Sequence, residues 1–120
     1  MGSGVTHLTQ RLDNAVHQRT RLGILTVLAG TKRVKFVFLR NVLDLTDGNL
    51  SRNLTVLDNA GNITVEKEPD GRRSRTWISI TPAGRQALAE EVSALREIVR
   101  AVEQATSTAR RTHRAKPAVP

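Results

Sequence analysis

Apolar positions along the chain change their period several times, and each change marks an element. Val5, Leu8, Leu12 and Val16 recur at helical spacing, so residues 5–16 read as a short amphipathic helix. "TRLGILTVLAG" is apolar on most sides and stops at Gly30, as a central buried helix with a C-terminal cap does. "RVKFVFLRNVLDLT" is mixed: Val34 and Phe36 alternate, whereas Leu39, Val42 and Leu43 keep a helical period, which predicts a brief strand followed by a short helix. In "LTDGNLSRNLTVLDNAG" the positions Leu50, Leu54 and Leu57 fall on one helical stripe. Thr46 or Asp47 supplies the N-cap oxygen there, and Gly61 ends the helix.

"NITVEKEPDGRRSRTWISI" switches to period two, with Ile63 and Val65 inward on one arm and Ile78 and Ile80 inward on the other. Pro69-Asp70-Gly71 is the turn signal between them, which predicts a hairpin with Arg72, Arg73 and Arg75 at its tip. Thr81-Pro82 then opens a last helix with a cap residue and a proline at the first helical position. Leu88, Val92, Leu95, Val99 and Val102 alternate four and three apart along it, a seam able to seal an interface already held elsewhere. From Thr106 the chain is small, polar, basic and proline-ended. The organisation predicted is a flexible start over 1–4, one domain over 5–105 and a basic disordered tail over 106–120.

Charge narrows the partners. Lys and Arg number 19 against 11 acids, a formal charge of +8, which favours a polyanion: nucleic acid first, an anionic membrane surface second. Trp77, Phe36 and Phe38 are the whole aromatic set, so the core is aliphatic and stacking platforms for single strands are poorly supplied. No apolar run approaches the roughly 20 residues of a membrane span and no basic-then-apolar leader opens the chain, so a cytoplasmic, nucleoid-associated protein without a membrane partner is expected. The sequons at Asn49, Asn53 and Asn62 and the Gly2/Thr6 acylation pattern are discounted as short chance matches.

Chemistry is thinly supplied. The chain has no cysteine, no Gly-rich phosphate loop with its Lys and no His beside an acid in a recognisable motif, so neither an enzyme nor a cofactor is expected. His7, His17 and His113 suggest metal sensing, but His7 and His17 lie about 15 Å apart along a helix and on different faces, so no metal site is expected. Glu90, Glu91, Glu97 and Glu103 read as the wet side of the last helix.

In order, the elements are helix, helix, short strand, helix, tight turn, helix, hairpin, long helix, and the turn "LDLT" has helix-turn-helix spacing. With "RLGILTVLAG", "LTDGNLSRNLTVLDNAGNI" and "ISITPAGR" spanning residues 18–86, the chain resembles the winged helix-turn-helix regulators of the small MarR-like and ArsR-like class. The fold expected is mainly α with a small β-hairpin (α+β). The resemblance implies a homodimeric transcriptional regulator, a repressor, on a short pseudo-palindromic operator in double-stranded DNA. Thr46, Asn49, Ser51, Arg52 and Thr55 would then face the major groove, with Lys67, Arg72, Arg73 and Arg75 in the wing.

Helical geometry reaches the same face independently. At about 100° per residue, the side opposite Leu50, Leu54 and Leu57 carries Gly48, Arg52 and Thr55, flanked by Asn49 and Ser51. Arg52 suits guanine and Asn49 adenine, while Gly48 lets a phosphate approach the first turn. Asp47 is assigned to capping, with cytosine readout as the alternative.

The ends predict dimerisation. The stripe of Leu8, Leu12 and Val16 and the seam of Leu88, Val92, Leu95, Val99 and Val102 have no obvious partner inside one small domain, and a two-fold mate would cover both helices, 5–16 and 82–105. Trp77 lies on the hairpin face opposite Ile78 and Ile80, where packing at the wing base is favoured over an effector pocket or a mate contact. An effector of unknown identity would bind at the dimer interface or the junction of wing and last helix. Arg110, Arg111, Arg114 and Lys116 in the tail could add phosphate contacts. Two other functions compete with sequence-specific regulation: an architectural protein binding DNA by charge alone, and a winged helix that meets a protein.

Overall fold

The computed structural model describes residues 8–12 and 14–115. Expectations for residues 1–7 and 116–120, His7 and Lys116 among them, lie outside the described residues, as do the side chains of His17, His113 and Arg114. The elements are α1 (Asn14–His17), α2 (Arg19–Ala29), β1 (Val34–Lys35), α3 (Phe36–Val42), α4 (Asp47–Asn59), β2 (Ile63–Asp70), β3 (Arg73–Ile80) and α5 (Pro82–Ala115). A mainly helical chain thus carries one small antiparallel sheet in the order β1-β3-β2.

The core is aliphatic. Ile24, Leu25 and Leu28 of α2, Leu39 of α3, Leu50, Leu54 and Leu57 of α4, and Ile63 and Ile78 of the sheet are buried together. Each such side chain contributes about 1.5–3 kcal/mol on leaving water. The strand pairing matches the period-two pattern: Ile63 opposes Ile80 and Val65 opposes Ile78. β1 joins the far side of β3, pairing Val34 with Ile78 and Lys35 with Trp77.

Three boundaries differ from expectation. Residues 8–10 are helical, but residues 11 and 12 form a turn and bend before α1, so no single helix spans the described part of 5–16. The Asp-Asn pair at 13–14 belongs to types that favour turns and helix starts over helix interiors. The hairpin turn is Gly71-Arg72 rather than Pro69-Asp70-Gly71, because Asp70 still pairs with Arg73 and Gly71 supplies the positive φ of 63° at the first turn position. Pro69 is accommodated within β2 because β2 is an edge strand. Finally, α5 does not stop at 105 but continues to Ala115, 34 residues in all and about 51 Å long. The small and charged residues after Thr106 include several Ala and Arg, which are good helix formers, so a polar stretch continues the helix.

Thr81 anchors α5 to the end of α4. Its backbone N–H donates to the Asn62 carbonyl at 3.0 Å, its hydroxyl donates to the Gly61 carbonyl at 2.7 Å, and the same oxygen accepts from the Gly84 N–H at 2.9 Å. Gly84 is required by this contact, since a Cβ there would lie 2.0 Å from the Asn62 carbonyl oxygen. From that corner α5 packs on α1 and α2, which turns Ala94 and Glu91 inward. Glu91, only 1% exposed, is therefore not on the wet side, and Glu97 is paired with Arg11. Among the described residues no helix is long and apolar enough to cross a membrane.

Candidate nucleic-acid interface

The α3–α4 turn is closed at both ends by backbone chemistry. Asp44 takes a left-handed conformation, φ 53°, and the N–H groups of Asp44 and Leu45 donate to the carbonyls of Asn41 and Arg40 at 3.3 and 2.9 Å. This is the paired arrangement that ends a helix when the following residue tolerates positive φ, as Asp does. Thr46 then takes extended backbone and its hydroxyl accepts from the Asn49 N–H at 3.1 Å, the N-cap of α4. Asp47 does not cap. Its carboxylate takes a hydrogen bond from Arg40 Nη1 at 2.9 Å, joining the two helices of the pair.

On α4 the leucine stripe is inside while Gly48, Ser51, Arg52 and Thr55 are exposed. A Cβ built on Gly48 meets nothing within 4 Å, so the first turn opens onto free space. The Thr55 hydroxyl donates to the Ser51 carbonyl at 3.0 Å, and no hydrogen bond or ion pair among the described residues holds Arg52. Asn49 departs from the simple picture. It is half-buried, and its side-chain oxygen accepts from Asn53 Nδ2 at 2.6 Å. Asn53, itself buried, accepts from Arg21 Nη1 at 3.1 Å. The Leu50/Leu54/Leu57 stripe gave no hint of Asn53; its spacing of four from Asn49 and one from Leu54 was the available signal.

The wing divides its cations between two faces. Lys67, in register with Thr76, lies on the face of Val65 and Ile78 and lines a cleft of about 360 Å³ with Ser51, Thr55 and Asp58 of α4. Arg73 and Arg75 pair with Asp70 and Glu68 and so share the opposite face. Arg75 Nε donates to Asp70 Oδ2 at 3.0 Å, and that hydrogen bond and charge hold the Asp70 carboxyl below its ordinary range and push Arg75 up. Arg72 and Arg73 at the tip are exposed and have no such partner among the described residues.

Trp77 packs at the wing base, on the outer face. Its indole N–H donates to Glu68 Oε2 at 2.9 Å, the Arg33 guanidinium lies 4.0 Å from the ring centroid and Lys35 Nζ lies 5.6 Å from it. Arg33 and Glu68, 3.8 Å apart, complete the cluster. The sequence pattern singles out neither, because their meeting depends on β1 pairing with β3.

The residues assigned to a dimer face are split. Val16 is fully buried in the chain's own core and has no surface left for a partner, because α1 packs against α2, α4 and α5. Leu8 and Leu12 are half-buried, as are Val92 and Leu95, while Leu88 packs against the core. Val99 and Val102 stand 53% and 59% exposed.

Known proteins share this arrangement. Residues 20–99 match the family described as winged helix DNA-binding domain. An uncharacterized protein of Methanocaldococcus jannaschii is 32% identical over 83 residues, covering 69% of this chain and 90% of its own. A transcriptional regulator homologue of Pyrococcus horikoshii superposes with a TM-score of 0.72 at 26% identity, over 82% of this chain and 95% of its own. MepR of S. aureus, solved in complex with DNA, shares the fold at a TM-score of 0.65 and 15% identity, over 94% and 93% of the two chains. With its capped helix pair, its hairpin wing and a match across residues 20–99, the chain belongs to the winged helix DNA-binding domain family.

Proposed function

We propose that the protein is a sequence-specific regulator of transcription, MarR-like in plan, that binds double-stranded DNA as a homodimer and represses by occupying a pseudo-palindromic operator. The observation that carries this reading is the outer face of α4: an open first turn at Gly48 whose acid, Asp47, is offset by Arg40, with Arg52 exposed and unpaired, beside a wing tip bearing Arg72 and Arg73. A face of hydrogen-bonding groups with one unengaged guanidinium suits base edges, and the wing supplies phosphate charge.

Dimerisation is supported by α5. The radius of gyration is 20.3 Å, against about 14 Å for a compact chain of this length, because the C-terminal half of α5 extends beyond the body. Val99 and Val102 lie on that extension, where a two-fold mate would cover them. Such a mate would set the two copies of α4 about 34 Å apart, one turn of DNA.

Sedimentation of the full chain, alone and with a duplex, tests both parts. The expected result is a dimer in the free protein and two chains per bound site. A monomer that binds no duplex at moderate salt would overturn the reading and favour a protein-interaction module.

A further inference from the structure

We infer that Asn49 meets the major groove with its NH2 group foremost, and therefore favours guanine, which offers that group two acceptors, over adenine, which offers one; the inference rests on α4 being the base-reading helix. Arg21 sets the orientation, because its guanidinium donates and never accepts. Its Nη1 lies 3.1 Å from Asn53 Oδ1, and its Nε donates to the Ala15 carbonyl at 2.7 Å, which pins the guanidinium between α1 and α4. The oxygen of Asn53 must therefore face Arg21, and its Nδ2 must face Asn49. That amide donates to the Asn49 backbone carbonyl at 2.9 Å and to Asn49 Oδ1 at 2.6 Å. Turning Asn49 over would set one NH2 against another, and turning Asn53 over would set an NH2 against a guanidinium. Since Asn53 is only 9% exposed, water cannot easily replace the lost bonds.

The consequence is chemical. A bidentate pair with adenine needs an acceptor and a donor presented side by side, but the Asn49 oxygen points back along its own helix toward Asn53. Asn53 takes one lone pair of that oxygen and sets its direction, so the NH2 group is the part that reaches outward. Guanine offers both O6 and N7 to such a donor, whereas adenine accepts through N7 alone and sets its N6 amino hydrogens beside it. Arg21 and Asn53 are thus positioning residues for base choice, although neither faces the groove.

Two measurements test this. In the free protein, side-chain amide exchange followed by NMR is expected to show the Asn53 NH2 protected and the Asn49 NH2 exchanging at the solvent rate; the reverse pattern overturns the inference without any DNA. With DNA, selection from a random duplex pool should yield guanine at the half-site position that Asn49→Ala relaxes, with adenine there weaker by roughly tenfold. Asn49→Asp should move that preference to cytosine, and Arg21→Met, once shown to fold by its thermal melt, should admit adenine. Adenine at that position in the wild-type selection, or undiminished discrimination in folded Arg21→Met, overturns it. Failure of the wild type to bind any duplex would instead bring down the reading of α4, and with it the base choice, while the exchange pattern still reports the amide orientation.

Discussion

Arg40 Nη1 stands 2.9 Å from Asp47 Oδ1, so the first helix of the pair neutralises the acid at the mouth of the second. Asp47 is 70% exposed at its side chain, and such surface pairs contribute at most about 1 kcal/mol to stability. Its larger effect is on charge. A lone carboxylate in the first turn of a DNA-facing helix would repel phosphate, and Arg40 offsets it. Asp47→Asn frees Arg40 and removes that negative charge, so duplex affinity for random sequence is expected to rise roughly three- to tenfold at low salt. Anisotropy titrations across a salt series check this; unchanged affinity would place Asp47 away from the phosphates.

Thr46 carries the cap. Thr46→Ala should lower stability by about 1 kcal/mol in urea unfolding, because it leaves the Asn49 N–H without its acceptor. Thr46→Ser keeps the oxygen and should keep most of the stability.

Two glycines should respond in opposite directions. Gly84→Ala drives a methyl into the Asn62 carbonyl and should destabilise by about 1–3 kcal/mol. Gly48→Ala meets open space within a helix and should stabilise by up to about 1 kcal/mol, while hindering phosphate approach and weakening duplex binding. Thermal melts of the two variants side by side separate packing from helix propensity.

The Asp70 carboxyl is held down in the folded state by Arg75. A lowered folded value means the pair's contribution is present above the unfolded Asp pKa and is lost as pH falls through the folded one. Carboxyl NMR titration should place Asp70 below an ordinary aspartate, and Arg75→Gln should return it toward the ordinary value. An unshifted Asp70 in the wild type would remove the wing-tip pair.

Much of the architecture is legible in hydrophobic period alone. The leucine stripe of α4, the Thr46 cap, the hairpin arms and the Thr81 start of α5 all follow from local chemistry that acts over a few residues. What sequence could not supply depends on contacts between distant segments. The Arg21–Asn53–Asn49 chain needs α2 and α4 to be packed, and the Arg33–Trp77–Glu68 cluster needs β1 beside β3. Val16 read as a free apolar stripe because periodicity reports which residues are apolar, not which neighbour covers them. The same limit applies to Arg75, whose charge is legible as a wing cation but whose engagement by Asp70 is set by strand register.

The central claim is that α4 reads bases, and the selectivity ratio tests it most directly. Binding to a selected site is compared with binding to random duplex, at one salt concentration, for wild type, Arg52→Ala and Arg73→Ala. Loss of a good base contact, about 1–3 kcal/mol, should cut the Arg52→Ala ratio by roughly tenfold, whereas Arg73→Ala should weaken both DNAs alike and leave the ratio intact. An unchanged ratio in Arg52→Ala would contradict the account.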